Sequence, residues 1–319
     1  IRDLSSQAVR YGEQILLIYG SGSLIQSDKG VKTVTSLEKN GFRLSKASVS
    51  HEPSPVLIDG IVQKNVSADI DLVVAIGGGS VLDTGKAVSA MLPLNEPVRE
   101  YLEKVGSRKP TGEKLPLIAI PTTSGTGSEA TSNAVISEVG EKGFKKSLRH
   151  NNYVPDIALV DPALVLTCPP KITAASGMDA FTQLLEAYVS TEANVLTDAW
   201  AWEGLKAVNR SLEKVVHSGE NLYARTDMAF AALVSGIVLA NAGLGLVHGF
   251  ASSIGGLIDM PHGKICGTLM AATHEKTIKA LQAKDPKSSA FNKYVKVGML
   301  FAGETFQEQS DNYYLDQLI

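Results

Sequence analysis

The stretch DLVVAIGGGSVLDTGKA, residues 71–87, decides the fold: a continuous apolar run of strand length, three glycines, then a sequence with the spacing of a helix. Apolar strands without alternation are buried on both faces, which is the condition of a parallel sheet covered by helices. Gly77, Gly78 and Gly79 let the backbone approach a ligand closely. The helix behind them turns its unpaired N–H groups and positive end toward that point, as a phosphate requires. Read alone, the same run also fits a tight strand-to-helix turn. Asp83 and Lys86 stand three apart on the helix, the spacing of a surface ion pair.

Working outward, similar apolar runs recur at ILLIY (15–19), LPLIAI (115–120) and IALV (157–160), with helical stretches near residues 31–40 and from Val81. Strands alternating with helices imply a doubly wound, Rossmann-like α/β domain. The run PTTSGTGSEAT (121–131) also follows a strand and sets hydroxyls and glycines at the sheet edge where such folds bind ligands. A third strand end, IYGSGSL (18–24), carries Gly20, Ser21 and Ser23 where NAD-binding sheets often place an acid. Without that carboxylate a ribose 2′-phosphate can be bound by Ser21, Ser23 and backbone N–H groups, so NADP is expected over NAD.

After Cys168-Pro169-Pro170 the texture changes to long Ala- and Leu-rich segments, the composition of packed helices. The expected domains are 1–166, α/β, and 167–319, all-α, and 319 residues suit two cores better than one. The stretch QAKDPKSSAFN (282–292) reads as a solvated loop, and His274 as the start of a charged helix. With 44% hydrophobic and 20% charged residues and a formal charge of −3, the chain has an ordinary globular balance that gives no basic footprint for nucleic acid. Cys168 and Cys266 are too few for a disulfide framework; as free, buried thiols they fit a reducing cytoplasm. Met228–Val247 carries no charge over twenty residues, a length that can span a bilayer. Ser235, Asn241, Gly243 and Gly245 interrupt it, and the core helix of a large helical domain is equally apolar, so no membrane is expected.

The helical half also holds a set of polar side chains suited to a metal. In GMDAFTQLLEAYVS (177–190), Asp179 and Gln183 are four apart on one helix face. His248 lies in GLVHGFASSIGG and His262 in MPHGKICG, each beside a glycine. One Asp and two His suit Zn²⁺ or Fe²⁺ with open positions left over, and Gln183 can add a neutral oxygen. A histidine in an apolar stretch is equally a hydrogen-bonded core residue, so spacing alone leaves both readings standing.

GGGSVLDTGKA, PTTSGTGSEAT, the GMDA helix, LVHGFASSIGG and PHG stand in the order and spacing of the iron-dependent (group III) alcohol dehydrogenases, and the chain resembles that family from about residue 10 to 280. The resemblance implies a dehydroquinate synthase-like architecture: a dinucleotide-binding domain, a helical domain, and an active site in the cleft between them. It implies that the family's first strand and last helices lie outside the chain. It assigns pyrophosphate to Gly77, Gly78, Gly79 and Ser80, with Asp83 in the same motif, the cofactor wall to Thr122, Thr123 and Thr126, and the nicotinamide ribose to Lys145. Asp179, Gln183, His248 and His262 occupy its four metal positions.

Two departures stand out. Gln183 occupies a position that is usually His, although glycerol dehydrogenases resemble a three-ligand arrangement of Asp and two His around zinc. Ser252 stands where a second His usually follows four residues after the first, which removes an imidazole from any proton relay. IYGSGSL resembles the NADPH-preferring aldehyde reductases of the family. The implied activity is hydride transfer between NAD(P)(H) and a primary or secondary alcohol or aldehyde, with one divalent iron or zinc ion, catalysed around Asp179, His248, His262 and Ser252. The proton would pass through water, Ser252 or a ribose hydroxyl, and a homodimer or higher homo-oligomer is the expected assembly. The competing readings are a lyase or cyclase resembling dehydroquinate synthase, a metal-free reductase resembling maleylacetate reductase, and a nucleotide-binding relic without turnover. The first needs several Lys and Arg near the metal, where only Lys264 is close in sequence.

Overall fold

Leu16, Ile18, Val73, Ala75, Leu117 and Ala119 enter one buried cluster, and Ile15, Leu17, Leu72, Val74, Ile76, Ile118 and Ile120 enter another. Successive residues of the same strands thus feed opposite faces of one sheet, and both faces are dry, which is why these strands read as unbroken apolar runs. The structure is a computed structural model that describes residues 1–21, 27–304 and 307–319. Ser23 lies outside the described residues. The chain forms two compact units, Ile1–Thr123 with Ser128–Val165 and Gly256–Ile258, and Ser124–Gly127 with Leu166–Gly255 and Asp259–Ile319.

The first unit is built on a parallel sheet of order β2-β1-β3-β4-β7, comprising β1 (Gln14–Gly20), β2 (Arg43–Val49), β3 (Leu72–Gly77), β4 (Leu117–Pro121) and β7 (Ile157–Ala158). Ile15 to Tyr19 pair in register with Leu72 to Ile76, so β1 and β3 end level with one another. β4 starts only after Pro116, which has no N–H to give but whose carbonyl accepts from Val73 at 2.9 Å. β2, RLSKASV, is polar and lies at the sheet edge, where among the described residues one side meets no further strand. Its polarity hid it from a search for apolar runs. Of IALV only two residues pair. Helices Asp28–Lys39, Pro55–Asn65 and Gly79–Leu94 fill the crossovers, the first two started by Ser27 and Ser54 side chains that accept from the first turn. A separate antiparallel pair, β5 (Asn133–Glu138) with β6 (Phe144–Arg149), completes the unit.

The second unit is helical: Pro170–Tyr188, Val195–His217, Leu222–Ala242, Leu246–Leu257 up to Gly255, His262–Lys284, Ser289–Ala302 and Asp311–Leu318. Asn194 and Thr197 form a reciprocal capping box at the start of the second of these. The uncharged stretch forms most of Leu222–Ala242, which is long and apolar enough to cross a bilayer by those criteria alone. Its Met228, Ala231, Val234 and Val238 are buried in the helical core beside Leu205 and Leu184, as a core helix requires. Gly243, at φ +70°, ends it. The solvated segment expected at 282–292 shrinks to a turn, because Lys284 still belongs to one helix and Ser288 caps the next. His274 does not start a helix but sits within His262–Lys284, buried, with its Nδ1 2.8 Å from the Tyr294 hydroxyl.

Candidate functional site

In the first unit the glycine run does what its composition requires. Gly78 precedes the helix Gly79–Leu94 in an extended conformation and offers no side-chain cap, which leaves the first-turn N–H groups to a ligand. A Cβ on Gly77 would stand 2.4 Å from the Val81 side chain, and one on Gly85 2.6 Å from the Ala75 Cβ, so these glycines set how closely helix and strand pack. Gly78, Gly79 and Ser80 are half-buried at the strand end. Thr122 joins them through its N–H to the Gly77 carbonyl at 2.9 Å, and the Thr123 side chain lies 3.3 Å from where a Gly78 Cβ would be. Gly20 closes β1, and the Ser21 N–H donates to the Val49 carbonyl at 2.9 Å while the residue remains exposed.

One expectation changes. Asp83 and Lys86 are not a surface pair: Lys86 is fully buried, 3.3 Å from Asp83 Oδ1, and donates to the Thr131 hydroxyl and the Asn133 carbonyl. The Asp83 oxygens accept from Ser128 Oγ at 2.5 Å and the Val135 N–H at 3.0 Å, so this carboxylate ties the helix to the segment 128–135. The spacing was read correctly and the exposure was not, since neither residue type is ordinarily buried. Burial pushes the nearby Glu129 carboxyl up to about 7. Lys145, on β6, is also buried and lies 3.3 Å from Glu52 Oε2. Thr126 belongs to the four-residue piece Ser124–Gly127 that the second unit holds, where Gly127 lies against Gly236 too closely for any Cβ.

The second unit gathers Asp179, His248 and His262 and adds a residue that was not expected, Cys266: one ligand atom from each lies within 4.8 Å of all the others. His248 Nε2 stands 3.5 Å and His262 Nε2 3.8 Å from Asp179 Oδ1, and Cys266 Sγ is 3.6 Å from His262 Nε2. Asp179 Oδ1 and His248 Nε2 are buried without a hydrogen-bond partner, an arrangement costly to maintain unless a further ligand satisfies both. Burial opposes charge on Asp179, His248 and Cys266. Yet His262, His248 and Gln183 hold the Asp179 carboxyl below its ordinary range against that penalty, and Asp179, Cys266 and Glu186 raise the His248 imidazole well above its own. The electron-rich atoms converge on one point, and the residues present fit a divalent cation.

Local structure explains the convergence. Asp179, Gln183 and Glu186 follow at i, i+4 and i+7 on Pro170–Tyr188, one polar stripe on an apolar helix. Glu186, absent from the sequence reading, orients His248: its Oε2 lies 2.6 Å from Nδ1, and its Oε1 accepts from the Val247 N–H at 2.7 Å. That bond leaves Nε2 as the atom turned to Asp179. His262 and Cys266 are four apart at the start of His262–Lys284 and share a face. Gly263 brings that face in, since a Cβ there would be 2.1 Å from the Ala175 carbonyl oxygen. Gln183, the expected source of a neutral oxygen, is held by two partners: its Oε1 accepts from Ser235 Oγ at 2.8 Å and its side chain hydrogen bonds to Asp179. Ser252 is exposed, four residues beyond His248 on the same helix.

Comparison with known proteins gives a consistent picture. The profile of the iron-containing alcohol dehydrogenases matches residues 1–162, and that of the C-terminal domain of the Fe-containing alcohol dehydrogenase family matches residues 173–316. Alcohol dehydrogenase 4 of Saccharomyces cerevisiae (strain YJM789) is 35% identical over 271 residues, which cover 82% of this chain and 70% of the yeast protein. The 1,3-propanediol dehydrogenase of Klebsiella pneumoniae is 34% identical over 264 residues, covering 79% of this chain and 67% of the relative. Among solved structures, the alcohol dehydrogenase from Oenococcus oeni superposes with a TM-score of 0.85 at 31% identity, over 99% of this chain and 80% of its own.

Proposed function

The chain belongs to the iron-containing alcohol dehydrogenase family, a family of alcohol and aldehyde oxidoreductases, and from that premise we propose that it is a metal-dependent, NADP-preferring alcohol dehydrogenase or aldehyde reductase. The observation that carries the metal half of the reading is the pair of buried, unpartnered atoms Asp179 Oδ1 and His248 Nε2, with His262 beside them. When bound, the divalent ion supplies a Lewis acid for the substrate oxygen and the nicotinamide exchanges the hydride.

The residues of the chain do the holding. Asp179, His248 and His262 grip the ion, and Glu186 fixes the ring of His248 so that its Nε2 carries the lone pair. Gly78, Gly79 and Ser80 present first-turn N–H groups to the pyrophosphate, with Thr122 and Thr123 beside them. Ser21, exposed at the end of β1 and without an acid beside it, suits a 2′-phosphate. Ser252 offers a hydroxyl four residues from His248 as a proton carrier in place of an imidazole. A homodimer in the cytoplasm completes the proposal. The lyase reading, the metal-free reductase and the non-catalytic relic are less well supported, because the named relatives are alcohol dehydrogenases and the metal donors are intact.

The test is metal content by elemental mass spectrometry on protein purified without chelator, repeated on Asp179→Ala. About one zinc or iron per chain, lost in the variant together with NADPH-dependent aldehyde reduction, is the expected result. No metal after loading with either ion, or undiminished turnover in the variant, overturns the reading.

A further inference from the structure

We propose that Cys266 supplies the fourth protein ligand of the metal in place of Gln183, so that the donor set is one carboxylate, two imidazoles and one thiolate and the site prefers zinc to iron. The inference rests on the metal reading above and goes beyond it, since the motif positions assign no role to this cysteine.

Position comes first. Cys266 is buried, and its Sγ belongs to the group of four ligand atoms that all lie within 4.8 Å of one another. Donors bound at about 2.0–2.3 Å around a tetrahedral ion stand roughly 3.3–3.8 Å apart. The separations are 3.5 Å for His248 to Asp179, 3.8 Å for His262 to Asp179 and 3.6 Å for Cys266 to His262. Three of the six edges of a four-donor shell therefore already have the length a tetrahedral ion requires, one of them ending on sulfur, and all six lie within 4.8 Å.

Gln183 is turned away from that role. Its carbonyl oxygen, the only atom it could give to a cation, accepts from the Ser235 hydroxyl at 2.8 Å, while its side chain also hydrogen bonds to Asp179. An amide that donates to Asp179 and is anchored through its oxygen supports the carboxylate from behind. Cys266, by contrast, has the two imidazoles His262 and His248 as its polar partners, and Asp179 Oδ1 and His248 Nε2 lie buried around the same point without a hydrogen-bond partner.

The backbone holds the cysteine in place. Gly263 and Gly267 are four apart on one side of His262–Lys284, and Cβ atoms there would stand 2.1 Å from the Ala175 carbonyl oxygen and 3.2 Å from the Met178 Cβ. This seam presses the start of the helix against Pro170–Tyr188 and sets His262 and Cys266 over Asp179.

The chemistry follows from the donor. On loading, the Cys266 S–H bond breaks, its proton leaves to solvent and an S–metal bond forms, with no change in oxidation state. A thiolate is a soft donor that suits zinc better than the all nitrogen and oxygen set the family pattern implies.

The experiment uses the full-length protein stripped of metal and loaded with Co²⁺ or Zn²⁺, as wild type, Cys266→Ser and Gln183→Ala. Expected are an intense near-ultraviolet thiolate-to-cobalt band in wild type and Gln183→Ala, its disappearance in Cys266→Ser, and Zn²⁺ protection of Cys266 from alkylation while half-exposed Cys168 stays reactive. Zinc affinity should fall in Cys266→Ser by at least the roughly 10- to 100-fold that loss of an outer support costs, with a smaller fall for iron. Stoichiometric cobalt without the band, or a band lost in Gln183→Ala but not in Cys266→Ser, overturns the thiolate assignment and leaves the metal reading intact. No uptake of either ion by wild type overturns both.

Discussion

Replacing Glu186 by Gln tests the inner architecture of the metal cluster without touching a ligand. Both carboxylate oxygens are in use, Oε2 at 2.6 Å from His248 Nδ1 and Oε1 at 2.7 Å from the Val247 N–H. Burial pushes this carboxyl up, but His248 and the Gly245 and Val247 amides more than offset that, and the group is held below its ordinary range as a charged acceptor. An amide has one accepting atom, so one of the two donors must face an NH₂ group. A hydrogen bond to a charged group is worth about 1.5–3 kcal/mol net, and about 10- to 100-fold in metal affinity for an orienting partner is about 1.4–2.8 kcal/mol. The two routes agree. Chelator competition with a zinc-sensitive dye should show Glu186→Gln binding 10- to 100-fold more weakly, with urea unfolding run alongside to verify that the variant is folded. Wild-type affinity in a folded variant would refute the claim that Glu186 sets the His248 ring.

Gly263→Ala puts a methyl 2.1 Å from the Ala175 carbonyl oxygen, so the start of His262–Lys284 must retreat and metal content should drop by calorimetric titration, although no ligand has been altered. Ser21→Asp restores an acid beside the ribose and should lower kcat/KM for NADPH relative to NADH, read by paired kinetics with the same aldehyde. Glu129, buried and raised from 4.5 to about 7, holds a proton when folded that it releases when unfolded. Its contribution to stability is therefore full below about pH 4.5 and lost as pH rises through about 7, by up to about 3 kcal/mol. Urea midpoints at pH 5 and 8 should differ less in Glu129→Gln than in wild type.

Most of the α/β unit was legible because dry parallel strands are continuous apolar runs, and β1, β3 and β4 lie where ILLIY, DLVVAI and LPLIAI stand. β2 was not, because an edge strand with one wet face carries RLSKASV and gives no such run. Asp179, His248 and His262 could be named from motif order, and the structure brings them together. Cys266 and Glu186 escaped because their signal is helical phase: four beyond His262 and seven beyond Asp179 they share a face with a proposed ligand, whereas composition presents Cys266 as a buried thiol and gives no reason to single out Glu186. Gln183 shows the converse limit. A side chain can occupy a ligand's place in the motif and be engaged by partners the motif does not show, here Ser235, 52 residues away, as well as Asp179.

The exchange of short segments between the two units bears on how the chain can be assembled. The first unit includes Gly256–Ile258, where the Gly256 carbonyl accepts from the Gly140 N–H at 3.2 Å, and the second includes Ser124–Gly127. A ribosome that has released residue 165 has therefore not yet delivered everything the first unit needs, and must add another ninety or so residues before the hairpin near Gly140 finds its partner. Cutting the gene between residues 165 and 166 would give two fragments that each lack a piece carried by the other, which makes the halves poor candidates for exchange between relatives by simple recombination at that point.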